Sequence, residues 1–256
     1  MRLFNQDTRR QWMKNIKRIT YFTRQTLGLY PIFFFPLMET LGPKRKKEYL
    51  VFPDTELVIE GFPRSGNTFA LVAFQMVQNR QIKIAHHHHV PAQIKKAVKW
   101  NIPTLILIRK PDEAAVSLVI RENFLSLKWA LKEYQRFYEA IMPYSWGYEI
   151  ALFEEVINDY GQVIARLNRR FGTDFIPFDP TPQNIKTCFK LIEELDKQDT
   201  GKQVVTETSV PRPSEERKRL KDRLKKSLLE KENASALEKA FTTYHKFISI
   251  KERKKL

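Results

Sequence analysis

The chain has 256 residues, 42% hydrophobic and 29% charged. That is the balance of a globular protein with room for one well-built core, not of a disordered chain. Its net charge of +16 is uneven: residues 1–50 hold 11 Lys and Arg against 3 Asp and Glu, residues 211–256 hold 15 against 7, and the stretch between is neutral. Cys188 is the sole cysteine, so an internal disulfide is excluded and a reducing, cytoplasmic setting fits.

Residues 2–24 are basic and carry Trp12, Ile16, Ile19 and Phe22 at roughly helical spacing. The apolar segment 27–38 follows. It is well short of the ~20 residues that span a bilayer, and Pro31 and Pro36 are expected to break any helix through it. The long basic region before it and the lack of a small-residue cleavage site argue against a signal peptide. Two outcomes stay open. A basic amphipathic helix leading into exposed aromatics lies on the inner membrane surface, or Phe33 to Phe35 pack onto the core. Residues 1–56 are thus read as a basic, aromatic N-terminal extension and 57–256 as the main domain.

From residue 57 strand and helix patterns alternate. Strands are expected at 57–61, 82–85, 104–109 and 148–153. Helices are expected at 67–79, 92–99, 112–121, 124–142 and 160–171, the last ended by Gly172. This alternation predicts an α/β fold with a central parallel sheet covered by helices on both faces. Segments 173–182 and 197–214 read as loops. From Glu215 to Glu232 the charges alternate in sign while Leu220, Leu224 and Leu228 recur at helical spacing, the pattern of a solvated helix. No nucleic-acid-reading motif accompanies the basic ends, which argues against nucleic acid as partner and leaves an acidic membrane surface or a polyanionic acceptor.

The most informative residues are 61–68, Gly-Phe-Pro-Arg-Ser-Gly-Asn-Thr, between an apolar strand and an apolar helix. Strand, glycine loop and helix together present backbone N–H groups and a positive helix end to a phosphate. The spacing is that of a P-loop, but Asn67 stands where a nucleotidase places lysine, and Arg64 is the only basic side chain in the loop. The loop should hold an anion other than a nucleoside triphosphate.

Pro63-Arg64-Ser65-Gly66-Asn67-Thr68-Phe69 resembles the 5′-phosphosulfate loop of sulfotransferases, the enzymes that use 3′-phosphoadenylyl sulfate (PAPS). A second motif, Leu105 to Ile108 followed by Arg109-Lys110-Pro111 with Ser117 eight residues beyond the arginine, resembles the same family's 3′-phosphate site. Glu149 to Glu155 and the helix closing at Gly172 are also similar to a family passage, so the likeness covers about residues 57–175. It implies a P-loop-NTPase-like three-layer sandwich that moves a sulfuryl group from PAPS to an acceptor hydroxyl or amine without a metal. It further implies that the Ser65 and Thr68 hydroxyls and nearby N–H groups hold the 5′-phosphate, that Arg64 bridges phosphate and sulfuryl group, that Arg109 and Ser117 hold the 3′-phosphate, and that Phe69 stacks on adenine. A core-facing Phe69 is the alternative. The family's late glycine-containing 3′-phosphate loop is absent, and Arg212 and Arg217 are its candidate substitutes. The rival functions are a P-loop ATPase or kinase and a non-catalytic membrane- or polyanion-binding module.

His86-His87-His88-His89 hold four of the five histidines. On a regular strand at most two converge, and no second Cys/His cluster completes a metal site. An imidazole suits the task of taking the acceptor's proton at neutral pH. His87 to Pro91 resembles the Lys-Thr/Ser-His-Leu-Pro stretch of cytosolic sulfotransferases, which puts the base at His89 and the lysine position at His87. The spacing to Arg109 selects His87 instead. Strand alternation would set these two on one face and His86 and His88 on the other, where their loss should matter least. The acceptor, whether small molecule, carbohydrate or lipid, is not fixed by these motifs.

Overall fold

Four short apolar runs form one parallel sheet in the computed structural model, which describes residues 6–200 and 215–254. The strands are β1 (Leu57–Gly61), β2 (Ile84–His86), β3 (Thr104–Ile108) and β4 (Glu149–Leu152), in the order β2-β1-β3-β4. Ile59 pairs with His86 on one side and Leu105 on the other, and Ile106 pairs with Ile150. β1 and β3 are buried along their whole length, as strands covered on both faces must be.

Successive β3 residues serve opposite faces. Leu105 and Leu107 join one apolar cluster with α4 (Asn67–Gln75), α9 (Tyr160–Phe171) and α10 (Pro182–Thr200). Ile106 and Ile108 join another with α6 (Pro111–Arg121), α7 (Leu127–Ile141) and α12 (Lys231–Arg253). The fold is therefore α/β with helices on both faces of a small parallel sheet. α7 begins later than expected because the Ser126 side chain accepts from the Trp129 N–H and caps it there. Helix α11 (Glu215–Leu228) lays Leu220, Leu224 and buried Leu228 on the core as the sequence predicts. Of the loop expected at 197–214, residues 197–200 belong to α10, and 201–214 lie outside the described residues.

The N-terminal region departs most from expectation. α1 (Gln6–Leu27) is the expected helix, but Pro31–Leu41 is also helical (α2), with a short α3 (Lys44–Glu48) after it. Pro31 sits in the first turn, where its missing N–H costs nothing. Pro36 lies inside the helix and deprives the Ile32 carbonyl of its partner, but Ile32 is 74% exposed and water can replace it. Burial of Phe34, Phe35 and Met38 against Val58, Ala85 and Val90 offsets the loss. The boundary expected at residues 56/57 thus runs through a shared apolar cluster.

β1 leads through α4 to β2 on one side, whereas β3 lies on the other. The connections after β1 and β3 part at this switch in strand order, at the carboxyl ends of the strands, the place where open parallel sheets form ligand-binding crevices.

Candidate active site

The loop after β1 is shaped by two left-handed residues, Arg64 (φ 72°) and Gly66 (φ 93°). Gly66 starts α4 with no side-chain cap, so the N–H groups of the first helical turn are directed at the crevice. A Cβ on Gly66 would also lie 3.2 Å from the Phe153 ring. Asn67 turns inward: its amide donates to the Phe62 carbonyl at 3.1 Å and closes the loop. Asn67 is therefore a brace within the loop.

The two phosphate-type motifs meet. Arg64 Nε donates to Ser117 Oγ at 3.0 Å, across 53 residues of sequence. The Arg109 guanidinium donates to the Arg64 carbonyl at 3.2 Å and to Glu113 at 3.1 Å, and stacks on Phe153 at 4.0 Å. The Tyr134 hydroxyl fixes the Arg109 carbonyl at 2.7 Å. Lys225 and Lys221 of α11 also reach Glu113, so late basic residues do converge beside Arg109. Burial would raise the Glu113 carboxyl, but Lys225, Arg109 and Lys221 hold it below the usual range. Those lysines lie one to two turns beyond Arg217, whose helical position is described but whose side chain is not, and Arg212 lies outside the described residues.

Two expected contacts change. Ser65 is fully buried and its hydroxyl lies 3.4 Å from that of Tyr138, so it supports the loop from behind. Phe69 is 5% exposed and packs against Phe178 and Phe189, the core-facing alternative. Pro63 lies half-buried in the loop, and Thr68, also half-buried, reaches the histidines, its hydroxyl 3.1 Å from His87 Nε2.

The histidine run does not alternate as a strand. β2 ends at His86, and His87 (φ 56°) and His89 (φ 53°) are both left-handed. Glu60, fully buried at the end of β1, holds this bend by accepting the N–H groups of His88 (2.8 Å) and His89 (3.0 Å). From the N-terminal helices, Arg24 donates to the His88 carbonyl and Lys46 to the His87 carbonyl at 3.1 Å. His88 is fully buried, donates through Nε2 to the Lys46 carbonyl at 2.8 Å and leaves Nδ1 without a partner. It is part of the core, edge-on to Phe34.

Neither a protein-family model nor a curated protein matches the chain.

The two remaining rings differ in what they have left to offer. His87 has both nitrogens engaged, Nε2 with Thr68 and Nδ1 with His86 Nδ1 at 2.7 Å. His89 donates Nδ1–H to the Gly61 carbonyl at 2.9 Å, which fixes the tautomer and leaves the Nε2 lone pair as an acceptor. Burial and the nearby Lys46 push both rings well below the ordinary histidine value, so both are neutral at pH 7. His86 and His88 fall to about 3, burial again being the main cause. Burial lifts Glu60 to about 7, the His88 and His89 N–H groups opposing it, and lowers Lys46 to about 8. Glu60, Lys46 and Arg24 carry no sequence motif; only the buried charge at the end of β1 marks Glu60. Among the described residues, no group of three or more His, Cys, Asp or Glu is arranged to hold a metal.

Proposed function

We propose that the protein is a PAPS-dependent sulfotransferase of P-loop-NTPase-like architecture, with the donor lying across the crevice between β1 and β3. The observation that carries this reading is the contact of Arg64 with Ser117, which joins the phosphosulfate-type loop to the 3′-phosphate-type motif. The uncapped start of α4 suits the 5′-phosphate, and Arg109 suits the 3′-phosphate with Lys221 and Lys225 nearby. As the acceptor oxygen bonds to sulfur, its proton passes to His89 Nε2. The sulfur–oxygen bond to the 5′-phosphate breaks, and Arg64 stabilises the charge left on that oxygen. His87 orients Thr68 and the edge of the site. No metal is invoked, because cationic side chains and helix N–H groups meet the donor's charge.

Asn67 braced on Phe62 supports this reading over a P-loop ATPase or kinase, since the loop offers no lysine to a γ-phosphate. Thermal unfolding separates the two. 3′-Phosphoadenosine 5′-phosphate should raise the melting temperature more than Mg²⁺–ATP at equal concentration, since stabilisation tracks affinity. The reverse order would favour the kinase reading. Anion binding unchanged by Arg64→Ala would favour a non-catalytic module.

A further inference from the structure

We propose that the outer half of α1, together with the exposed face of α2, is a docking surface for an anionic lipid bilayer. α1 has two unlike halves. From Tyr21 onward it is built into the body: Tyr21 and Phe22 pack edge-on against Trp129 at 5.4 and 4.7 Å, and Arg24 bonds the histidine loop. From Gln11 to Thr20 every residue is exposed, and this stretch holds Lys14, Lys17 and Arg18 with no acid. It nevertheless holds Trp12 (61% exposed), Met13, Ile16 and Ile19 (64%).

These apolar residues are not scattered. At helical pitch Ile19, Trp12, Ile16 and Met13 fall within an arc of about 120°. Exposed Thr23 continues that arc toward the body, whereas the anchoring Tyr21 and Phe22 lie outside it. The stripe therefore points away from the core, with Lys14, Lys17 and Arg18 on the other side of the helix. α2 repeats the arrangement. Phe34, Phe35 and Met38 face inward, while Ile32, Phe33 (57% exposed) and Leu41 (78%) face water, followed by exposed Lys44 and Arg45.

Apolar side chains on a helix whose remaining face is cationic complement an anionic headgroup layer over an acyl boundary. Among the described residues no helix is long and apolar enough to cross a membrane, so the helix would lie along the surface. The same helix touches the histidine loop through Arg24, ~18 Å from Trp12 at 1.5 Å per residue. Docking would thus set the crevice close to the lipid surface. The inference stands on exposure and charge, independent of the proposed chemistry.

Full-length protein should co-sediment with phosphatidylcholine vesicles doped with phosphatidylglycerol at least about tenfold better than with phosphatidylcholine alone, and release as salt rises. Joint replacement of Trp12, Ile16 and Ile19 by Ser should lower binding by about tenfold or more, with no change in melting temperature because these side chains are solvent-exposed. Brominated lipid should quench Trp12 fluorescence, and Trp12→Phe should remove that quenching while keeping binding. Equal binding to both vesicle types overturns the proposal. So does binding that survives the triple replacement, which would mark a general polyanion site. A dimer that the triple replacement dissolves would make the stripe a protein interface and overturn it equally.

Discussion

The two loops at the carboxyl edge of the sheet are held by opposite means. The loop after β1 carries part of its conformation in its own sequence: Gly66 takes φ 93° without strain and Asn67 braces Phe62 five residues back, while Arg109 holds the carbonyl of left-handed Arg64 (φ 72°). The loop after β2 adopts left-handed backbone at His87 and His89, a conformation histidine enters at some cost. Distant residues hold it there, Glu60 through two N–H groups, and Arg24 and Lys46 through two carbonyls. The first loop has a local glycine turn and brace that the second lacks, so the first is the more recognisable of the two in the sequence.

The largest effect should come from the second loop. His89→Ala should cut the single-turnover rate by about 10²–10⁴-fold and leave the affinity for 3′-phosphoadenosine 5′-phosphate intact. His87→Ala should cost less, because both its nitrogens already serve neighbours. The opposite ranking would transfer the base to His87.

Acid should distinguish the loops next. The four histidines are held below their ordinary value, so the folded state resists protonation that the unfolded chain accepts. Their contribution is present above about pH 6.5 and is lost as pH falls toward 3, on the order of several kcal/mol together. Glu60 acts oppositely, favouring the fold below about pH 4.5 and losing that contribution as pH rises through about 7. Urea midpoints should therefore fall on acidification below pH 6.5. His88→Phe, which removes one buried imidazole, should flatten the fall. A flat wild-type profile would show that these rings are not buried neutral.

Much of the first loop's surroundings was legible. The four strands form within about two residues of their expected bounds, and Arg64 and Arg109 follow β1 and β3 as the pattern predicts, because strand ends and glycine turns are local features. Helix α2 was not, since Pro36 opposes it locally and burial of Phe34, Phe35 and Met38 against the sheet offsets that cost. Nor was the inward turn of Ser65, which depends on Tyr138, more than 70 residues away in sequence, and the choice between the two readings of Phe69 rests on Phe178 and Phe189, equally remote. Lys221 and Lys225 were missed because their partner Glu113 lies on another helix.

Two smaller effects sharpen the comparison from the first loop's side. Arg109→Ala should lose about ten- to hundredfold in affinity for 3′-phosphoadenosine 5′-phosphate, roughly 1.5–3 kcal/mol for a charged hydrogen bond. It should also erase the preference over adenosine 5′-phosphosulfate, measured by competition. A retained preference would move the 3′-phosphate to Lys221 and Lys225. Gly66→Ala should destabilise by about 1–2 kcal/mol through its left-handed backbone, with the Phe153 contact at 3.2 Å adding to it. Urea unfolding checks that value, and an unchanged midpoint would mean the loop relaxes freely.

The central claim is that the crevice between β1 and β3 binds an adenosine 3′,5′-bisphosphate, and calorimetric titration of the intact protein with 3′-phosphoadenosine 5′-phosphate in EDTA measures it directly. Saturable one-to-one binding that persists in chelator and weakens in Arg64→Ala and Arg109→Ala is the predicted result. No heat and no saturation at high micromolar ligand would contradict the account.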